Sequence, residues 1–160
     1  MCIRDRGSVV AKLLTQVGFE VSGWSRRSEA PLDEVLAASE IVVCALPLTS
    51  DTDSLFDARA FAQMRPGSYL INIARGSHVV EADLIAAVQR GHLAGAALDV
   101  QRNEPMKADD PLWNVPGITI TPHIAAQSSP QTIAAQFIAG LRCVERGETP
   151  PQTVDRARGY

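Results

Sequence analysis

Short runs of Val, Ile and Leu without polar alternation recur along this chain, each separated from the next by a stretch of helical periodicity. The runs at residues 41–46, 69–73, 94–100 and 118–121 read as strands buried on both faces, and a further short strand is expected at residues 19–24. Val9, Val10, Leu13, Leu14 and Val17 recur at three- and four-residue spacing after Gly7 and Ser8, which predicts a helix stopping at Gly18. Further helices are expected at residues 32–38, 57–64, 81–90 and 130–146, the last with Ile133, Phe137, Leu141 and Val144 as a core-facing stripe. Alternating strands and helices of this kind require a parallel sheet with helical crossovers on both faces, so the expected fold is α/β, a doubly wound parallel sheet.

Composition narrows the function classes. With 160 residues, 46% of them hydrophobic, and a formal net charge of −3, the chain is one domain or a piece of a larger one. It is neither disordered nor nucleic-acid-binding in character. Its apolar runs fall far short of the roughly 20 residues that span a bilayer, and no secretory signal opens the sequence, so a cytoplasmic location without membrane or nucleic-acid partners is expected. Cys2, Cys44 and Cys143 are odd in number and widely spaced, which suggests neither a disulfide framework nor a zinc site.

In doubly wound sheets ligands bind beyond the carboxyl ends of the strands. The residues following the expected strands are polar: Ser25, Arg26 and Arg27, then Arg75, then Asp99 and Glu104, then His123. Arg75, within the run Asn72, Ile73, Ala74, Arg75, Gly76, offers a planar fork suited to a carboxylate. His123 is the natural proton donor or acceptor near neutral pH, and Glu104 would orient its imidazole and stabilise the charged form. Small residues after it, Ala125 and Ala126, would let a flat ligand approach. His78 and His92 read as surface or structural residues and Trp113 as packing.

The stretch INIARGSHVVEADLIAAVQRGHLAGAALDVQRNEPMKADDPLWNVPGITITPHIA resembles the coenzyme domain of the D-2-hydroxyacid dehydrogenases. WSRR in place of an acidic strand end, residues 78–80, PLW and the closing VDRARGY resemble, within that family, the bacterial glyoxylate/hydroxypyruvate reductase A group. The resemblance covers about residues 7–160 and implies a Rossmann-like NAD(P)-binding domain at residues 7–126. Residues 127–160 would form a helix and tail leading back to a substrate domain that the chain lacks, so some of the helix's apolar surface would be exposed, and residues 1–6 would be foreign to the family.

By the same resemblance, Arg75, Glu104 and His123 are the catalytic residues of an NADPH-dependent reductase of small 2-ketoacids, turning glyoxylate into glycolate and hydroxypyruvate into D-glycerate. Cofactor contacts are implied at Gly7, Ser25, Arg26, Arg27, Leu46, Pro47, Ile73, Ala74, Asp99, Ala125 and Ala126, with no metal. Arg26 and Arg27 lie where an acidic residue would bind the ribose of NAD, so NADP(H) is the expected cofactor, with NAD(H) possible. The family's GxGxxG loop would end at Gly7, with Cys2 and Arg4 where its first two glycines belong, and the preceding central strand would be absent. Little or no turnover is therefore expected of the chain alone, and a homodimer is expected of the full-length parent. Two alternatives stand: another D-2-hydroxyacid dehydrogenase, of phosphoglycerate or D-lactate type, or a noncatalytic dinucleotide-binding regulatory module.

Overall fold

The computed structural model describes residues 3–25, 28–126, 128–151 and 153. Among them, strands β1 (Ile41–Cys44), β2 (Tyr69–Asn72), β3 (Gly95–Leu98) and β4 (Ile118–Ile120) form one sheet in that order, every pair parallel. The helices are α1 (Ile3–Gln16), α2 (Leu32–Ala38), α3 (Ala58–Gln63), α4 (Glu81–Gln89) and α5 (Pro130–Glu145). Parallel neighbours need crossovers. α3 makes the one from β1 to β2 and α4 the one from β2 to β3, giving the expected α/β, Rossmann-like arrangement. No helix among the described residues is long and apolar enough to cross a membrane.

The core forms where helices meet the sheet. Leu36 of α2, Phe61 of α3, Leu70 of β2, Leu84 of α4 and Leu98 of β3 are buried in one cluster, with α3 packed against both α2 and α4. Asp57 starts α3 by accepting the Ala60 amide at 2.9 Å, and Asp83 of α4 accepts the Ala58 amide at 2.9 Å, tying the two helices together at their starts. β3 is built of small residues because its neighbours come close. A Cβ on Gly95 would lie 2.2 Å from the Gly117 carbonyl oxygen and 2.7 Å from the Tyr69 ring.

The structure corrects several expectations. Residues 19–24 form no strand. A strand needs a ladder partner, and residues 19–24 pair with none of the described strands: β1 is paired on one edge with β2, and its other edge, with Ile41 about half exposed, carries no described strand. α1 starts at Ile3 rather than after Gly7, since residues 3–6 carry nothing that breaks a helix. Its end is as expected: Gly18 takes a φ of +95°, and the Phe19 and Gly18 amides donate to the Leu14 and Thr15 carbonyls in a Schellman closure. The stripe of α5 is not core, for Ile133, Phe137, Leu141 and Val144 are all exposed. Trp113 is likewise half-exposed, its indole N–H donating to the Lys107 carbonyl at 2.9 Å.

Candidate active site

The strand register determines which loops meet. Cys44, Asn72, Leu98 and Ile120 stand side by side as the last residues of the four strands. The ladder runs one step further, with Ile73, Asp99 and Thr121 amides donating to the Cys44, Asn72 and Leu98 carbonyls. The chain segments carrying Leu46 and Pro47, Arg75, Glu104 and His123 therefore all leave the same sheet edge. α1 approaches this edge too: a Cβ on Gly7 would lie 3.9 Å from that of Ala45.

His123 and Glu104, 19 residues apart, form the central pair, with Nδ1 2.7 Å from Oε2. A carboxylate can only accept, so Nδ1 carries the proton and Nε2 takes no part in this contact. The other Glu104 oxygen accepts the Gln101 amide at 2.9 Å. Burial acts to raise the Glu104 carboxyl, but the hydrogen bonds from His123 and Gln101 and the charges of His123 and Arg75 outweigh it and hold it below the usual carboxylate range.

Asp99 positions the histidine's loop. Its Oδ1 accepts the Thr121 hydroxyl at 2.6 Å and the Ile124 amide at 2.9 Å, and its Oδ2 accepts the Ala125 amide at 2.8 Å. These bonds bracket His123, whose backbone sits in the left-handed region with φ of +53°. Burial would push the Asp99 carboxyl up, yet the three donors and the His123 charge keep it below its ordinary range. Asn72, fully buried, does the same for Arg75: it accepts the Ala74 amide at 3.0 Å and donates to the Arg75 carbonyl at 2.9 Å. The Arg75 guanidinium donates to the Ala74 carbonyl at 2.7 Å and is otherwise on the exposed side of the turn.

Sequence reasoning missed what joins the loops. Gly76 is one such contact: a Cβ there would lie 1.9 Å from the Gln101 carbonyl carbon and 2.3 Å from the Arg102 nitrogen, so the Arg75 turn and the Glu104 loop touch backbone to backbone. His78, read as surface or structural, is wholly buried, with Nδ1 2.7 Å from the Thr52 carbonyl and Nε2 3.0 Å from that of Leu46. The Thr52 hydroxyl donates to the Pro47 carbonyl at 2.7 Å. Both carbonyls of the Leu46–Pro47 step are thus engaged, while the Leu46 side chain packs against the core. His92 bonds the Met64 carbonyl at 3.0 Å, a structural contact. Burial pushes the Cys44 thiol up to about 11, leaving it inert.

The edge fits a flat dinucleotide in part. Ala125 and Ala126 are small and exposed beside His123, whereas Ala74 is buried in the core cluster. Ser25 closes a turn with Ser28, its amide donating to the Ser28 hydroxyl at 2.8 Å, while Arg26, Arg27 and Cys2 lie outside the described residues. Arg4 and Gly7 are both inside α1, so no glycine turn precedes that helix among the described residues.

Comparison with known proteins agrees with this geometry. Residues 5–125 match the family profile of the D-isomer specific 2-hydroxyacid dehydrogenase NAD binding domain. The chain is 41% identical to glyoxylate/hydroxypyruvate reductase A of Serratia proteamaculans, over 96% of this chain and 53% of that protein. A D-isomer specific 2-hydroxyacid dehydrogenase from Xanthobacter autotrophicus Py2, solved with NADPH and MES, superposes with a TM-score of 0.93 at 41% identity, over 99% of this chain and 70% of that one. An NADPH-dependent glyoxylate/hydroxypyruvate reductase from Sinorhizobium meliloti, solved with NADP and sulfate, gives 0.90 at 32% identity, over 96% and 54%. The chain spans about half the length of the curated relatives it matches. With the parallel sheet, the aligned strand ends and this match in hand, the chain belongs to the D-isomer specific 2-hydroxyacid dehydrogenase family and carries its NAD-binding domain.

Proposed function

We propose that the protein as its relatives have it reduces small 2-ketoacids, glyoxylate to glycolate and hydroxypyruvate to D-glycerate, with NADPH as the preferred cofactor. The observation that carries the reading is the 2.7 Å His123–Glu104 pair with the Arg75 charge acting on it, all on one sheet edge. Reduced nicotinamide, when bound, supplies a hydride equivalent to the keto carbon. Arg75 holds the substrate carboxylate and polarises the adjacent carbonyl. His123 gives the proton on Nε2 to the carbonyl oxygen and keeps the one on Nδ1 shared with Glu104, which remains a carboxylate throughout. The preference for NADPH is supported by Arg26 and Arg27 in the sequence and by the NADPH- and NADP-bound relatives. The other cofactor contacts of this reading are at Gly7, Ser25, Leu46, Pro47, Ile73, Ala74, Asp99, Ala125 and Ala126, and the expected assembly is a homodimer.

The test is glyoxylate-dependent oxidation of NADPH by the complete protein. His123→Ala is expected to lower kcat by roughly 100- to 10,000-fold, the usual range for a lost general acid. Arg75→Lys is expected to raise KM for glyoxylate, because a point charge cannot replace the fork. Arg26→Asp is expected to erase the preference for NADPH over NADH. One observation favours a second reading, a dinucleotide-binding module without turnover: Arg4 sits inside α1 where the family's glycine turn would lie. Cofactor binding with no oxidation on any small 2-ketoacid selects that reading.

A further inference from the structure

Arg102 lies two residues before Glu104, and no step of the reaction above uses it. Its Nη2 reaches the Ser54 hydroxyl at 2.8 Å, the Ser77 carbonyl at 3.1 Å and the Asp53 carboxylate at 3.2 Å, while its amide donates to Glu81 Oε1 at 2.8 Å. Ser77 is in the 3-10 turn Gly76–His78 that follows Arg75, and Glu81 opens α4. The Ser54 amide itself donates to the Ser77 carbonyl at 2.7 Å. The Gln101–Arg102 peptide that this side chain anchors lies directly against Gly76, and the Gln101 amide holds one oxygen of Glu104. A partly exposed ion pair such as Arg102–Asp53 adds little to stability. What the contacts do is geometric: they join three segments that the strands deliver separately.

We propose that Arg102 is a positioning residue, clasping the Glu104 loop to the Arg75 turn and so holding the Glu104–His123 pair in place beside the carboxylate-binding guanidinium. This rests on the catalytic reading given above. If the clasp opens, Glu104 loses its grip on the Gln101 amide and on His123, the contacts that, with the charges of His123 and Arg75, keep it ionised. The acid-side limb of the rate then moves toward higher pH.

The experiment compares Arg102→Gln and Arg102→Lys in the complete protein with Glu104→Gln and His123→Ala as references. It reads kcat and KM for glyoxylate with NADPH, the pH profile of kcat, and hydrogen exchange of the Gln101 and Arg102 amides. Arg102→Gln is expected to lower kcat about tenfold, less than the roughly 100-fold that a 1 Å misplacement can cost. KM should be little changed, the acid limb displaced upward and both amides exchanging faster, with Arg102→Lys in between. An unchanged acid limb, unchanged amide exchange, or a rise in KM alone overturns the proposal, the last by making Arg102 a substrate contact. If Arg102→Gln does not fold, the same readouts on Arg102→Lys decide. If His123→Ala and Glu104→Gln leave turnover intact, the catalytic reading fails instead, and the amide exchange still reports whether the clasp exists.

Discussion

Asp99 shows how much one carboxylate can organise. Three donors converge on it from residues 121–125, so it determines where the His123 backbone goes before His123 does any chemistry. Asp99→Asn puts an amide N–H₂ where one set of donors needs an acceptor; a loss of about 1–3 kcal/mol is expected, as for a buried polar group left unmatched. Denaturant melts give the size, and faster exchange of the Ile124 and Ala125 amides should locate it. A variant as stable as the parent would remove Asp99 from this role. The same residue sets an acid limit. Asp99 and Glu104 are both held below the usual carboxylate range, so their contribution is complete above the unfolded value of about 4 and is lost as pH falls through the lower folded values. Stability against urea should accordingly be flat from neutral pH down to that region and decline only below it, with Asp99→Asn showing the shallower decline. Arg75, Glu104 and His123 stand out in the sequence by residue type and flanking residues, and the fold brings Glu104 and His123 into contact at the strand ends. The positioning by Asp99, Asn72 and Arg102 was not legible there, because it depends on which backbone amides and carbonyls the fold sets opposite them.

Among the elements, the 3-10 turn Gly76–His78 is confined on more than one side. It is held from below by Asn72 and His78 and touched from the side by the Gln101–Arg102 peptide. Gly76→Ala would place a methyl group against main-chain atoms, which cannot rotate away as a side chain can, so the two loops must separate. A cost of at least the roughly 1–3 kcal/mol typical of overpacking is expected, together with loss of turnover from the displaced Glu104. Asp57→Ala offers a comparison at an element far from the chemistry: losing the α3 cap should cost about 1 kcal/mol and leave kcat alone. Equal effects of both variants on kcat would argue against the special position of the turn. The helices and the four described strands were readable from periodicity, with strand ends one to three residues shorter than the apolar runs suggest. Residues 19–24 have the pattern of a strand without being one, since a pattern specifies which face is apolar but cannot supply a partner.

Over the whole molecule, one well-packed cluster between sheet and helices coexists with apolar faces left open. Val9 and Leu13 of α1, Val17 just after it, and Ile133, Phe137, Leu141 and Val144 of α5 are between 48% and 71% exposed, too much for helices whose spacing is that of a buried stripe. The 160-residue chain prepared by itself is expected to sediment with concentration-dependent association, and Phe137→Glu with Leu141→Glu to reduce it. A single monomer boundary for the unaltered chain at every concentration would contradict this. The amino-acid order alone determined the alternation of strand and helix, the parallel sheet and the types of residue gathered at its carboxyl edge, because these follow from local periodicity and side-chain chemistry. Only the tertiary structure decided that residues 19–24 stay outside the sheet, that the whole apolar stripe of the last helix lies open, and that Gly76, Asp99 and Arg102 join the loops carrying Arg75, Glu104 and His123. Each of these depends on a second segment being brought alongside from elsewhere in the chain, and proximity of that kind is a property of the packed fold.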